Sequence, residues 1–126
     1  MAGPSPDTYR VVVVEPGKPA YEKQIGTDYR DLCKEVRGYI ECVSYHGDGT
    51  LIVCNEEGKL LRMEGNRRFR NGSVIAGPFV VIGTAGEDFR SLTDREVQKY
   101  LQEYAQPHRI TQREVQADMG WTIMTF

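Results

Sequence analysis

The chain has 126 residues and a formal net charge of −2, and a hydrophobic content of 40 % with 10 % aromatics suffices for one core but leaves no room for a second domain. Near-neutrality with both signs interspersed excludes a general polyanion binder, so any contact with nucleic acid or nucleotide has to be local. Three cysteines, Cys33, Cys42 and Cys54, form an odd set with no C-x-x-C spacing, which argues against a disulfide framework and against a zinc site.

Residues 1–8, with Pro4 and Pro6, read as a loose leader that lacks the charged start and apolar stretch of a secretion signal. The longest apolar runs, 11–14 and 79–82, are too short to cross a bilayer, so a cytoplasmic protein with no membrane contact is expected. "YRVVVVEPGKP" is a strand signature for burial on both faces, and it is expected to be the central strand. "AYEKQIG" is its hairpin return, closed by Gly26. A short helix over 28–37 follows, capped by Thr27 or Asp28, with Leu32, Cys33 and Val36 turned to the sheet and Gly38 at its left-handed end.

"YIECVSYHGDGTLIVCN" reads as two strands about an Asp48-Gly49 turn. Two registers stay open: a two-residue loop sets Tyr45 opposite Ile52, and a three-residue loop sets Cys42 opposite Cys54. "EEGK" is the next turn, 60–63 a strand, and "GPFVVIG" another. "SLTDREVQKYLQEYAQP" is the clearest helix, over 94–106. Thr93 and Glu96 form its capping box, Val97, Tyr100, Leu101 and Tyr104 share one face, and Pro107 stops it. Residues 107–126 form a C-terminal extension with a helical pattern over 111–119, ending in "WTIMTF", which is expected to dock on its own domain or on a second copy in a homo-oligomer. The sum over 9–106 is one compact α+β domain: a mostly antiparallel sheet of about five or six strands with one short and one longer helix packed on it.

The mid-chain segment "NEEGKLLRMEGNRRFRNG" carries Lys59, Arg62, Arg67, Arg68 and Arg70 against the single acid Glu64 between them. Arginine presents a planar fork that grips phosphate or carboxylate, and Asn66 beside it can read a base edge or an amide. Gly65 and Gly72 let backbone N–H groups approach an anion. The candidate ligand-binding set is therefore Asn66, Arg67, Arg68, Arg70, Arg62, Lys59, Asn55 and Tyr45, the last as a stacking surface. The plain alternative is a solvated loop whose ion pairs each contribute under ~1 kcal/mol. Catalysis has weak signals: His46 and His108 lack an orienting third group, and the acid pairs Glu56-Glu57 and Glu87-Asp88 sit on turns. No phosphate-loop or dinucleotide pattern is present, and no cofactor or metal is expected.

Six motifs in series, "VVVVEPGKP", "GYIECV", "NEEGKLL", "GNRRFR", "IAGPFVVIG" and "GEDFRSLTDREVQKYL", resemble a domain-of-unknown-function family of small bacteriophage and conjugative-element proteins, over about residues 10–104. The resemblance implies a mixed α and β accessory protein of a mobile element, with no activity assigned. Met63-Glu64-Gly65 replaces the family's proline-containing approach to Asn66, and the chain beyond Gln106 has no counterpart in it. Together with the arginine segment, the resemblance makes a counter-defence protein that sequesters an anionic, nucleotide-type signal in the host cell the first expectation. A protein–protein inhibitor or adaptor of a host factor is the second, and nucleic-acid binding the third.

Overall fold

The computed structural model describes residues 8–118. In chain order the elements are β1 (Thr8–Val14), β2 (Tyr21–Gly26), α1 (Tyr29–Val36), β3 (Ile40–Val43), β4 (Thr50–Asn55), β5 (Gly65–Arg68), β6 (Val74–Ala76), β7 (Phe79–Ala85), β8 (Asp88–Arg90), α2 (Asp94–Glu103) and α3 (Gln112–Ala117). The main sheet runs β2-β1-β7-β4-β3 with every pairing antiparallel, and β8 folds back on β7. β5 and β6 make a separate antiparallel pair. The α+β class and mostly antiparallel sheet agree with the sequence pattern. Among the described residues no helix is long and apolar enough to cross a membrane.

The pleat sends alternate valines of β1 to opposite faces. Val11 and Val13 join Leu32 and Val36 of α1, with Val53, Val80 and Ile82. Val12 and Val14 join Val97, Tyr100 and Tyr104 from α2 and its end, with Ile52, Phe79 and Val81. The sheet thus lies between the two helices, and β1 is buried on both faces as its four valines predict. The middle position belongs to β7, however, which pairs with β1 on one side and β4 on the other. Phe69 and Ile75 of the β5–β6 region also pack on the α2 side, and Val115 of α3 closes a small core with Val74 and Ala76.

Both main helices start as their sequences predict. The Asp28 side chain accepts from the Arg30 N–H and Asp31 returns a bond to the Asp28 N–H; Thr93 and Glu96 do the same for α2. Their ends differ from expectation. The left-handed residue closing α1 is Arg37 (φ 63°), not Gly38. Gly38 is required for space: a Cβ there would come within 2.7 Å of the Asn55 amide.

Two further corrections concern the hairpin and the segment that follows it. The 40–55 hairpin has neither expected register, since Cys42 faces Val53 and Val43 faces Ile52. Its loop is longer because Asp48 and His46 are drawn to α2, as described below. Residues 60–63 are not a strand: Leu61 N–H donates to Glu57 O at 2.8 Å, Arg62 N–H to Lys59 O at 3.1 Å and Met63 N–H to Gly58 O at 3.0 Å. That pattern is one helical turn ended by a left-handed residue, here Arg62 (φ 57°). The third helix, α3, falls within the helical pattern expected over 111–119 and is capped by the Thr111 hydroxyl accepting from the Glu114 N–H. The expected leader, apart from Thr8, and the "WTIMTF" end lie outside the described residues.

Candidate functional site

The arginine segment does not stay together. β5 points Asn66 and Arg67 inward, where they are 0 % and 1 % exposed, while Arg68 next to them faces out. The Asn66 amide donates to Val14 O and Gly77 O, both at 2.9 Å. Its carbonyl accepts from Arg67 Nη1 at 2.8 Å, and Arg67 Nη2 donates to Lys18 O at 2.7 Å and Tyr104 O at 2.8 Å. Two adjacent side chains thereby tie the end of β1, the β1–β2 turn, the approach to β7 and the C-terminus of α2 into one knot. Burial lowers the Arg67 pKa, and among the described residues its Nε has no hydrogen-bond partner. The negative end of the α2 dipole, carried by Tyr104 O, partly offsets that cost.

The other predicted site residues scatter. Asn55, also buried, donates to Val36 O at 3.0 Å and Arg37 O at 3.1 Å and accepts from the Glu57 N–H at 2.7 Å. Lys59 bonds Asp118 at 2.7 Å in a largely enclosed pair. Arg68 lies on the surface against Glu114 and receives no help from Arg67. The Tyr45 hydroxyl accepts from the Arg70 N–H at 3.1 Å, and its ring packs edge-on against Phe69 at 4.9 Å. Arg62 and Arg70 point outward. The Asn66 and Asn55 amides and both Arg67 Nη groups have donors committed inside the fold, so these three residues do not form the expected grip on an anion.

Beside the knot lies an open pocket of about 280 Å³ lined by Glu15, Pro16, Lys18, Arg37, Met63, Glu64, Gly77 and Pro78. Its charges are two of each sign, and Lys18 and Glu15 already face each other at 3.6 Å. Such a lining does not favour an anion.

A second polar cluster joins the 44–49 loop to α2. Asp48 accepts from Lys99 at 2.7 Å, Thr50 at 2.6 Å and the Tyr100 hydroxyl. Burial pushes the Asp48 carboxyl up, but these three donors outweigh it and hold it below the ordinary carboxylate range. Burial and the Asp48 contact push the Tyr100 phenol up to about 12. His46 Nε2 lies 2.9 Å from the Tyr104 hydroxyl, and burial lowers its pKa. Burial drives the Cys54 thiol up to about 12, as for a packed thiol in apolar surroundings. The cluster latches the loop to the helix.

A folded pKa below the unfolded one makes the Asp48 contribution complete above about pH 4 and lost as pH falls through the folded value. Stability should drop on acidification below about pH 4, and Asp48→Asn should flatten that part of the profile in urea midpoints measured across pH.

Among the described residues the most exposed large apolar groups are elsewhere. Leu60 and Leu61 are 64 % and 58 % exposed on the 57–62 turn, and Tyr39 is 68 % exposed at the same end of the sheet. Tyr39 O accepts from the Glu56 N–H at 2.9 Å, which binds the two segments together. The sequence pattern hid these leucines because 60–63 reads as a strand. Their signal was Asn55 followed by Glu57, a capping side chain ahead of one helical turn.

In comparison with known proteins, the family model described as "Domain of unknown function (DUF3846)" matches residues 9–105. No curated protein and no solved structure matches the chain.

Proposed function

The chain belongs to the DUF3846 family of unknown function, and we propose that it works by binding a protein partner through the crest formed by Leu60, Leu61 and Tyr39. The single observation that carries this is the exposure of two adjacent leucines on a turn whose backbone is fixed. Asn55 caps its start, three backbone hydrogen bonds close it, and Gly58 seats it so tightly that a Cβ there would fall 2.4 Å from Ala76 O. Rigid apolar anchors ringed by charge are what a specific interface uses, since little ordering entropy is lost on binding. Glu56, Glu57 and Arg62 supply the charged rim. The partner implied is a protein with an apolar cleft. The motif resemblance favours the setting of a mobile genetic element, with a host factor as the target.

This reading takes the place of the nucleotide-type ligand as first choice, because Asn66, Arg67 and Asn55, three of the residues expected to grip that ligand, are turned to holding the fold together. The test is binding of a protein captured from host lysate, repeated with Leu60→Glu/Leu61→Glu. Two buried leucines are worth about 1.5–3 kcal/mol each, so affinity should fall by at least tenfold. Equal affinity of the variant, or heat released on titration with nucleotides and no captured protein, rejects the proposal.

A further inference from the structure

We propose that the pocket beside the Asn66–Arg67 knot binds a small zwitterion of the amino-acid or dipeptide kind, with its carboxylate on Arg37, its ammonium on Glu64 and an apolar side chain against Pro16, Met63 and Pro78. The knot fixes the walls from beneath. Asn66 Nδ2 donates to Val14 O, one residue before Glu15, and to Gly77 O, while Arg67 Nη2 donates to Lys18 O. The Gly77 N–H donates to Glu64 O at 2.8 Å, and Asn55 Nδ2 donates to Arg37 O at 3.1 Å. Buried polar side chains and one backbone bond therefore hold every charged stretch of the lining in a single arrangement. A site set before its ligand arrives loses little ordering entropy on binding.

The backbone at the pocket takes uncommon conformations. Gly17 (φ 76°) and Gly77 (φ 86°) are left-handed, and a Cβ on Gly77 would meet the Met63 sulfur at 2.6 Å. Arg37 (φ 63°) holds the same conformation with a long side chain, at a helix end where glycine fits best, so the fold sets a guanidinium in the lining. Charge then selects the occupant. Glu15 is already taken, by the Tyr21 hydroxyl and by Lys18 at 3.6 Å. Glu64 Oε2 leans over the β1–β2 turn, 3.9 Å from where a Cβ on Gly17 would stand. Among the described residues the side chains of Glu64 and Arg37 have no hydrogen-bond or ion-pair partner. One uncommitted charge of each sign suits a molecule carrying one of each, whereas a simple anion would meet Glu64 and a simple cation Arg37. The volume of about 280 Å³ falls just under the roughly 300–1,000 Å³ of drug-sized ligand sites, which keeps the occupant small.

The test is calorimetric titration with L-leucine and with glycyl-L-leucine, which hold their two charges at different separations, while amide shifts in nuclear magnetic resonance locate the contact. At least one of the two is expected to bind, with shifts at Gly17, Glu64 and Gly77. Its N-acetyl derivative, without the ammonium, and its amide, without the carboxylate, should each bind about tenfold more weakly. Glu64→Gln should weaken the free zwitterion by a similar factor and leave the N-acetyl derivative unchanged. Arg37→Gly suits the left-handed backbone and so keeps the fold; it should weaken the zwitterion and leave the amide derivative unchanged. Four results overturn the proposal: no binding of either probe up to about 10 mM, equal affinity of a blocked derivative, indifference of the zwitterion to either variant, or shifts remote from the pocket. Leu60 and Leu61 do not line this pocket, so failure here leaves the protein-binding proposal standing, and loss of that proposal leaves this result intact.

Discussion

Arg67→Ala is expected to lower the unfolding free energy by about 3–5 kcal/mol, the range for emptying the space of a large buried side chain while leaving its acceptors short of donors. Arg67 is 1 % exposed and its Nη atoms serve the carbonyl oxygens of Lys18 and Tyr104 and the Asn66 side chain. Alanine would leave these acceptors without their donor and a cavity in the space of a long side chain, each a cost of its own. Ala20 N–H also donates to Tyr104 O at 3.1 Å, so that carbonyl keeps one partner and the loss stays below the sum of the parts. Urea unfolding of the two proteins measures the difference. Arg68→Ala, one position on, should change little, because Arg68 and Glu114 meet in solvent. The contrast separates an arginine that builds the fold from one kept for a ligand: truncating a ligand-gripping arginine leaves stability level or raises it.

The pair shows why local reading of the sequence goes only so far. β1, β7 and the starts of α1 and α2 were legible because their information is local: four valines between breakers, a capping box, apolar residues at helical spacing. The direction of Arg67 is not local. Within its own segment it sits among cations and glycines, the pattern of a solvated loop. What turns it inward is the meeting of carbonyls from Lys18 and Tyr104, which lie 49 and 37 positions away. The 40–55 hairpin failed for the same reason. Its Asp48-Gly49 signal is a correct turn signal, but Asp48 is held by Lys99 and Tyr100 of a helix some fifty positions later, and the loop lengthens to reach them. The site suffered most, because long polar side chains look alike in sequence whether they face water or backbone carbonyls, and only topology decides between the two.

Asn55→Ala is expected to cost about 2–3 kcal/mol, since a 6 % exposed amide loses three hydrogen bonds and leaves two carbonyls of the α1 terminus short of donors. The consequence for function should exceed that for stability. Asn55 is the joint between the end of α1 and the turn that carries Leu60 and Leu61, so its loss frees the turn from its cap and returns ordering entropy to the binding step. At a temperature where the variant is folded, partner affinity should fall although Asn55 touches no partner, and hydrogen exchange at the Leu61 and Arg62 amides should accelerate. Asn55→Asp sharpens the test. It keeps an acceptor for the Glu57 N–H but turns a carboxylate oxygen toward the carbonyls of Val36 and Arg37, so it should be the more damaging of the two. A ligand-contacting Asn55 would give the opposite order, with unfolding unchanged by either substitution and amide exchange in the turn the same as in the unaltered chain.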